Sequence, residues 1–134
     1  MNLRLLLDTH IVLRWLVQPK SLTREQIRVL LTADRRGERF GVSAISLVEV
    51  AQIFAAPRPP AKGQLEDVFE VLSDAAKYEI LAITQPIARD VPRLTPFLRD
   101  PMDAIITATA IEHRLRLVTS DQRIIDSKLV PVVN

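Results

Sequence analysis

Cysteine is absent from all 134 residues, so neither a disulfide framework nor a thiolate metal site can form. The absence fits a reducing cytoplasm. Histidine occurs only as His10 and His113, a poor supply for a zinc centre. Aromatic residues are 4% of the chain, too few for a base-stacking platform. There are three glycines, and "DTHIVL", which follows the first apolar run, contains none. A dinucleotide-binding module would place a Gly-rich turn there. No apolar stretch approaches the roughly 18 residues of a membrane-spanning helix. The first residues carry Arg4 and Asp8 without an apolar signal region or cleavage site, so no signal peptide is expected.

Hydrophobic residues, by contrast, make up 48% of the chain, and the mean hydropathy is +0.14. That is enough for a substantial core, and it leaves open some apolar surface covered by a partner. The length suits one compact domain spanning residues 1–134. The formal charge is only +2, but arginines outnumber lysines by fourteen to four, and the planar guanidinium fork suits phosphate. From Arg14 to Arg39 there are seven basic residues against three acids. A basic stripe points toward nucleic acid, although a solvated helix face has the same composition.

Along the chain, strands alternate with helices. Leu3–Leu7 reads as a buried strand and Thr9–Val17 as a helix. "SLTREQIRVLLTADRRGE" is an amphipathic helix capped by Ser21 or Thr23 and ended by Gly37, with Arg24, Arg28 and Arg35 along one edge. "RFGVS" is a short strand leading into a helix over Ala44–Ala56, and "PRPPAKG" is a loop. A helix is expected over Leu65–Tyr78, a strand at "EILAIT", and a short helix or turn at "PIARDVPRL", which has a proline inside it. Asp100-Pro101 opens a helix to about His113. "LRLVTS" is a strand, "DQRII" a helical turn and "LVPVV" a last strand. This alternation predicts an α/β fold, a three-layer α/β/α arrangement around a mostly parallel sheet. Right-handed crossovers bring the strand C-termini to one edge, where ligands bind in such sheets.

Four acids belong to that edge: Asp8 after the first strand, Glu49 one turn into its helix, Asp103 in the first turn of its helix, and Asp121 after "LRLVTS". Asp8 and Asp121 also suit helix N-caps, as does Asp100, and Asp103 has the spacing to close a capping box. Glu49 stands in "AISLVEVAQIFAA", apolar nearly all round, and is expected to be largely buried. Carboxylates gathered in one place raise one another's pKa values, and a divalent cation relieves the repulsion. An all-oxygen set suits Mg²⁺ or Mn²⁺ rather than zinc. His10, beside Asp8, is a candidate for touching a substrate, and His113 is expected to be remote.

"LLLDTH", "SAISLVEVA", "DPMDAIITATA" and "LVTSDQRI", in this order, resemble a PIN-domain ribonuclease, specifically a VapC-type toxin of a type II toxin–antitoxin pair. The resemblance maps Asp8, Glu49, Asp103 and Asp121 onto that family's acidic metal-binding quartet. It maps Thr9, and Thr119 or Ser120, onto hydroxyl positions near the metal. It implies a cytoplasmic, homodimeric, Mg²⁺-dependent endoribonuclease blocked by a cognate antitoxin, with structured RNA as substrate. In that setting Arg24, Arg28 and His10 become candidate RNA contacts. Many members carry Arg directly after the third acid, where this chain has Ala104. Either Ala104 alters packing alone, or a charge beside the site is missing. A phosphoacceptor signalling domain also gathers acids at strand ends, but it pairs two adjacent acids near the first strand, and Asp8 stands alone. A PIN-like module that binds RNA or a partner without cutting is the remaining alternative.

Overall fold

The computed structural model describes residues 3–57 and 64–134. Apart from Pro57, the expected "PRPPAKG" loop lies outside them. The elements are β1 (Leu3–Leu7), α1 (Thr9–Val17), a 3₁₀ turn (Pro19–Ser21), α2 (Arg24–Arg35), β2 (Arg39–Ser43), α3 (Ala44–Ala55) and α4 (Leu65–Leu72). They continue with β3 (Tyr78–Leu81), α5 (Gln85–Leu98), α6 (Pro101–His113), β4 (Arg116–Val118), α7 (Gln122–Ser127) and β5 (Val132–Val133). The strands form one sheet in the order β3-β2-β1-β4-β5, and every pairing is parallel. The chain winds outward from β1 to β3, then crosses back to place β4 on the other side. The reversal leaves a crevice at the C-terminal ends of β1 and β4.

Alternation along β1 divides the core. Leu5 and Leu7 join residues of α1–α4, including Ile11, Leu30, Val50 and Val68, on one face. Leu6 joins residues of α5–α7, including Ile87, Leu98, Ile106 and Ile124, on the other. Helices on both faces of a parallel sheet give the expected three-layer α/β/α fold. A fully buried Leu or Ile contributes about 1.5–3 kcal/mol relative to exposure, so these two apolar layers hold the strand ends in place.

Several element boundaries differ from the sequence reading. The helix expected over Leu65–Tyr78 stops at Leu72, because Asp74 builds a turn, its carboxylate accepting from the Ala76 N–H at 3.0 Å. Tyr78 is then free to pair with Phe40 as the first residue of β3. "PIARDVPRL" lies within a 14-residue helix, despite Pro92 and Pro96 in its interior. Pro96 leaves the Pro92 carbonyl without its helical donor, and the Thr95 hydroxyl donates to it instead at 3.2 Å. Buried Ile87, Leu94 and Leu98 anchor this helix on the core, so tertiary packing outweighs the proline penalty. β4 is shorter than "LRLVTS": the Leu115 N–H still bonds the Ala110 carbonyl at the end of α6, and after Thr119, whose N–H bonds Val133 of β5 at 3.1 Å, the chain enters the turn described below.

Gly41 lies in the middle of β2, where a Cβ would stand 3.2 Å from the Leu5 carbonyl oxygen and 3.3 Å from a Leu81 methyl. Backbone cannot give way as a flexible side chain does. Gly41→Val should therefore lower stability by about 1–3 kcal/mol through overpacking, read as a shift in the urea midpoint.

Candidate active site

Each acid reaches the crevice by a different local device. Asp8 ends β1 and caps α1, one carboxylate oxygen accepting from the Thr9 N–H at 2.8 Å. Its other oxygen accepts from the Thr119 hydroxyl at 2.7 Å, across the β1–β4 reversal. The Thr119 hydroxyl in turn accepts from the Asp121 N–H at 3.0 Å. Asp121 caps α7 with one oxygen, which receives the N–H groups of Arg123 and Ile124. The cap readings of Asp8 and Asp121 are thus correct, and each carboxylate keeps lone pairs for another partner.

Glu49 approaches from α3. Its Oε1 accepts from the Thr9 hydroxyl at 2.6 Å, and the same hydroxyl is hydrogen-bonded to Ser46 at 2.9 Å. Thr9 therefore holds two acids, Asp8 through its amide and Glu49 through its side chain. Glu49 is half-buried rather than largely buried as expected, because α3 has more apolar surface than the core behind it covers, and its neighbour Val48 is exposed. Asp100 caps α6, accepting from the Met102 N–H at 2.9 Å. Asp103 closes no capping box: among the described residues its half-buried carboxylate receives no hydrogen bond. It shares a depression of about 350 Å³ with Asp121, Gln122 and Arg123.

The electrostatics follow from this placement. Burial pushes the Asp103 carboxyl up to about 7, helped by the charges of Asp100, Asp121, Asp8 and Glu49. Asp8 is raised by burial, against the lowering effect of its Thr119 and Thr9 hydrogen bonds. Glu49 is also raised, by burial first and by Asp8 and Asp100 next. The charge of His10, an exposed residue, opposes the shifts at Asp8 and Glu49. His113 lies exposed at the far end of α6, as expected.

Of the two alternative hydroxyls, Thr119 touches an acid and Ser120 does not. The Ser120 hydroxyl accepts from the Gln26 side-chain amide at 2.9 Å. Gln26 is fully buried, and the same nitrogen lies 3.3 Å from the Thr119 carbonyl oxygen. Its Oε1 closes a capping box with Thr23. Gln26 thus ties the start of α2 to the turn that carries Thr119. It was missed as a site residue, although "TREQ" has the capping-box spacing that could have flagged it. Ala104 is fully buried in the α5–α7 layer, so the residue after Asp103 is a packing residue here. Arg24 and Arg28 are exposed on α2 and do not line the Asp103 depression. Arg28 pairs with Glu25 and borders a separate cavity with Arg4, Arg36 and Arg116.

Among the described residues, no three Asp, Glu, His or Cys side chains are arranged to enclose a metal ion on their own. Mg²⁺ does not require that, since it keeps several waters and is commonly held by one or two carboxylates. The donor set fits such an ion: all oxygen, mutually repelling, with Asp103 receiving no hydrogen bond among the described residues.

The raised values have a consequence for stability. Asp103 holds its proton to about pH 7 in the folded chain and to about 3.8 when unfolded. Between those values the folded state binds more protons, so stability is highest below the unfolded pKa and is lost as pH rises through the folded one. In EDTA, melting temperature should fall from pH 4 toward pH 7. Asp103→Asn should flatten that slope and melt above wild type at neutral pH, as scanning calorimetry would show.

The PIN domain family profile matches residues 5–128. Ribonuclease VapC22 of Mycobacterium tuberculosis is 32% identical over 120 residues, 89% of this chain and 88% of its own length. VapBC2 of Rickettsia felis, solved bound to a DNA fragment from its promoter, has a TM-score of 0.71 at 16% identity, covering 98% of this chain and 97% of that one. A toxin–antitoxin complex from Klebsiella pneumoniae has a TM-score of 0.65 at 28% identity, covering 96% and 95%. With the profile matched over nearly its whole length and an acid crevice at its sheet reversal, this chain belongs to the PIN domain family.

Proposed function

We propose that this chain is a VapC-type toxin, an endoribonuclease that depends on Mg²⁺ or Mn²⁺ and is restrained by a cognate antitoxin. The observation that carries the reading is Asp103: a half-buried carboxylate that receives no hydrogen bond among the described residues and faces four other acids. Only a cation makes that group comfortable as an anion at neutral pH. Asp8 and Asp103 are the direct ligands in this proposal, with Asp121 and Glu49 completing the set directly or through water. Once bound, the ion would lower the pKa of a coordinated water and polarise the phosphoryl oxygens. The protein's own contribution is placement. Thr119 and Thr9 fix the Asp8 carboxylate, Thr9 fixes Glu49, and the α7 cap orients Asp121.

The ribonuclease VapC22 of Mycobacterium tuberculosis supports the RNA substrate, and the Klebsiella toxin–antitoxin complex supports the antitoxin partner. A homodimer and a cytoplasmic site of action belong to the same proposal, and sedimentation measures the first. Among the described residues, no helix is long and apolar enough to cross a membrane. Arg24, Arg28 and His10 are exposed and are proposed to contact RNA, the arginines through phosphates.

Two carboxamide variants test the site. Asp8→Asn and Asp103→Asn should remain folded by circular dichroism and lose cleavage of RNA in Mg²⁺. EDTA should abolish wild-type cleavage, and Mg²⁺ or Mn²⁺ should restore it. Products should carry 5′-phosphate and 3′-hydroxyl ends by mass spectrometry, since attack by water needs no substrate 2′-hydroxyl. A 2′,3′-cyclic phosphate formed in EDTA would refute the mechanism. Binding without any cleavage in Mg²⁺ would favour the non-cutting module instead.

The arginine row gives a second test. In the Arg24→Ala, Arg28→Ala double variant, the slope of log affinity against log salt for single-stranded RNA should flatten by about 0.7 for each phosphate no longer neutralised. An unchanged slope would remove this edge from the RNA path.

A further inference from the structure

Among the described residues Phe97 is the one exposed aromatic ring, 60% accessible near the end of α5. The other rings are buried or partly buried, and Trp15, Phe40 and Tyr78 pack on one another. Exposing a ring of this size to water costs free energy, and little about α5 requires it, since Ile87, Leu94 and Leu98 already form its buried face. Phe97 borders an open surface depression of about 420 Å³ together with exposed Gln122, Arg123 and Asp126 and half-buried Ser127. Gln122 and Arg123 also line the depression that holds Asp103 and Asp121. The two spaces therefore share a wall, Gln122 and Arg123, between the ring and the carboxylates.

The chemistry of the depression beside Phe97 narrows its occupant. Among the described residues Arg123 and Asp126 are the ionic groups lining it and their charges cancel, so it lacks the net positive potential that a phosphate needs. Gln122 is fixed by donating to Asp126 Oδ1 at 2.7 Å, and the Ser127 hydroxyl is spent on the Ile124 carbonyl at 2.6 Å. Asp126 Oδ2 remains as an acceptor, and Arg123, whose Nη1 reaches the Leu98 carbonyl at 3.5 Å, keeps further N–H donors. One exposed ring face beside a donor and an acceptor suits a planar heterocycle with both on its edge. Single-stranded RNA is commonly read in this way, by an unstacked base resting on an aromatic side chain and hydrogen-bonded along its edge.

Resting on the ribonuclease reading, we propose that Phe97, Gln122, Arg123 and Asp126 form a binding position for one unpaired RNA base beside the carboxylates, selecting a base that carries an amino group. Phe97 stacks on the base, Asp126 accepts from its amino group, and Arg123 donates to a ring nitrogen or carbonyl. Uracil lacks the amino group and is disfavoured. One ring makes a single stacking position, which a chain poor in aromatics can still supply.

The test uses the full chain in EDTA and fluorescein-labelled oligouridine octamers whose central base is A, C, G or U, read by anisotropy. Wild type should bind at least one amino-bearing octamer more tightly than the all-uridine one. Phe97→Ala should weaken that binding by about 5- to 150-fold, the range measured for losing one base–aromatic stack. Phe97→Trp should restore it, and Asp126→Ala should erase the preference over uracil. Because the ring is exposed, Phe97→Ala should shift the melting temperature by no more than about 3 °C. Unchanged binding by Phe97→Ala, or a wild type that does not discriminate against uracil, would overturn the proposal. So would a loss of binding that tracks conversion of a dimer to monomer in sedimentation, which would make Phe97 a contact between copies. Cleavage of total RNA by wild type in Mg²⁺ separates the two readings: cleavage with Phe97→Ala binding normally defeats the base position alone, whereas neither cleavage nor binding by wild type defeats both.

Discussion

The hydrogen bond from the Thr119 hydroxyl to Asp8, 2.7 Å long and fully buried, is the constraint on which the arrangement of acids depends. It joins the ends of β1 and β4, the two strands between which the sheet reverses direction of winding. The same oxygen accepts from the Asp121 amide, so a single hydroxyl sets the separation of two of the four carboxylates. A bond to a charged acceptor contributes about 1.5–3 kcal/mol net, comparable to burying one large aliphatic side chain. Gln26 secures it from behind by holding the Thr119 carbonyl and the Ser120 hydroxyl. Thr9 performs the matching task on the other side, linking Asp8 to Glu49. Two threonines therefore do most of the positioning, and neither carries charge.

That economy has an electrostatic cost. Asp8, Glu49 and Asp103 all have raised pKa values, with desolvation the first cause in each and neighbouring acids adding to it. The fold compensates unevenly. Among the described residues Asp8 has two donors and Glu49 has one, while Asp103 has none. The least compensated acid sits in the first turn of α6, where the helix macrodipole gives partial relief. The apolar layers beneath, rich in fully buried Leu, Ile and Val, are what allow the chain to tolerate a cluster that works against its own stability.

The layer architecture was legible because its signals are local and repeated. Alternating strand and helix patterns, two-sided apolar strands and capping residues all survive in a single sequence. The four acids were legible as a set once the parallel winding was assumed, and Thr9 and Thr119 entered only through the family resemblance. What could not be read depended on distant partners. Pro92 and Pro96 argue locally against a long helix, and only the burial of Ile87, Leu94 and Leu98 in the core overcomes that local preference. Glu49 is less buried than its apolar helix suggests, because an apolar helix face does not reveal how much core lies behind it. Gln26 escaped notice because its second role, on a turn 93 residues away, has no trace in its own neighbourhood.

The link between α5 and α6 connects the carboxylates to the exposed ring. Phe97 and Asp103 flank a tight reversal in which the Arg99 N–H bonds to the Thr95 carbonyl at 2.8 Å and the Asp100 N–H to the Leu98 carbonyl at 2.7 Å. Arg99 takes a positive φ of 64°, an uncommon conformation for a residue with a side chain. Buried Leu98 and the α6 cap at Asp100 hold the segment on both sides of it, so the strain is offset by packing and hydrogen bonding. A longer, relaxed loop would let the ring and the acid move independently. The short strained one sets the spacing of Phe97 and Asp103 through the backbone that joins α5 to α6.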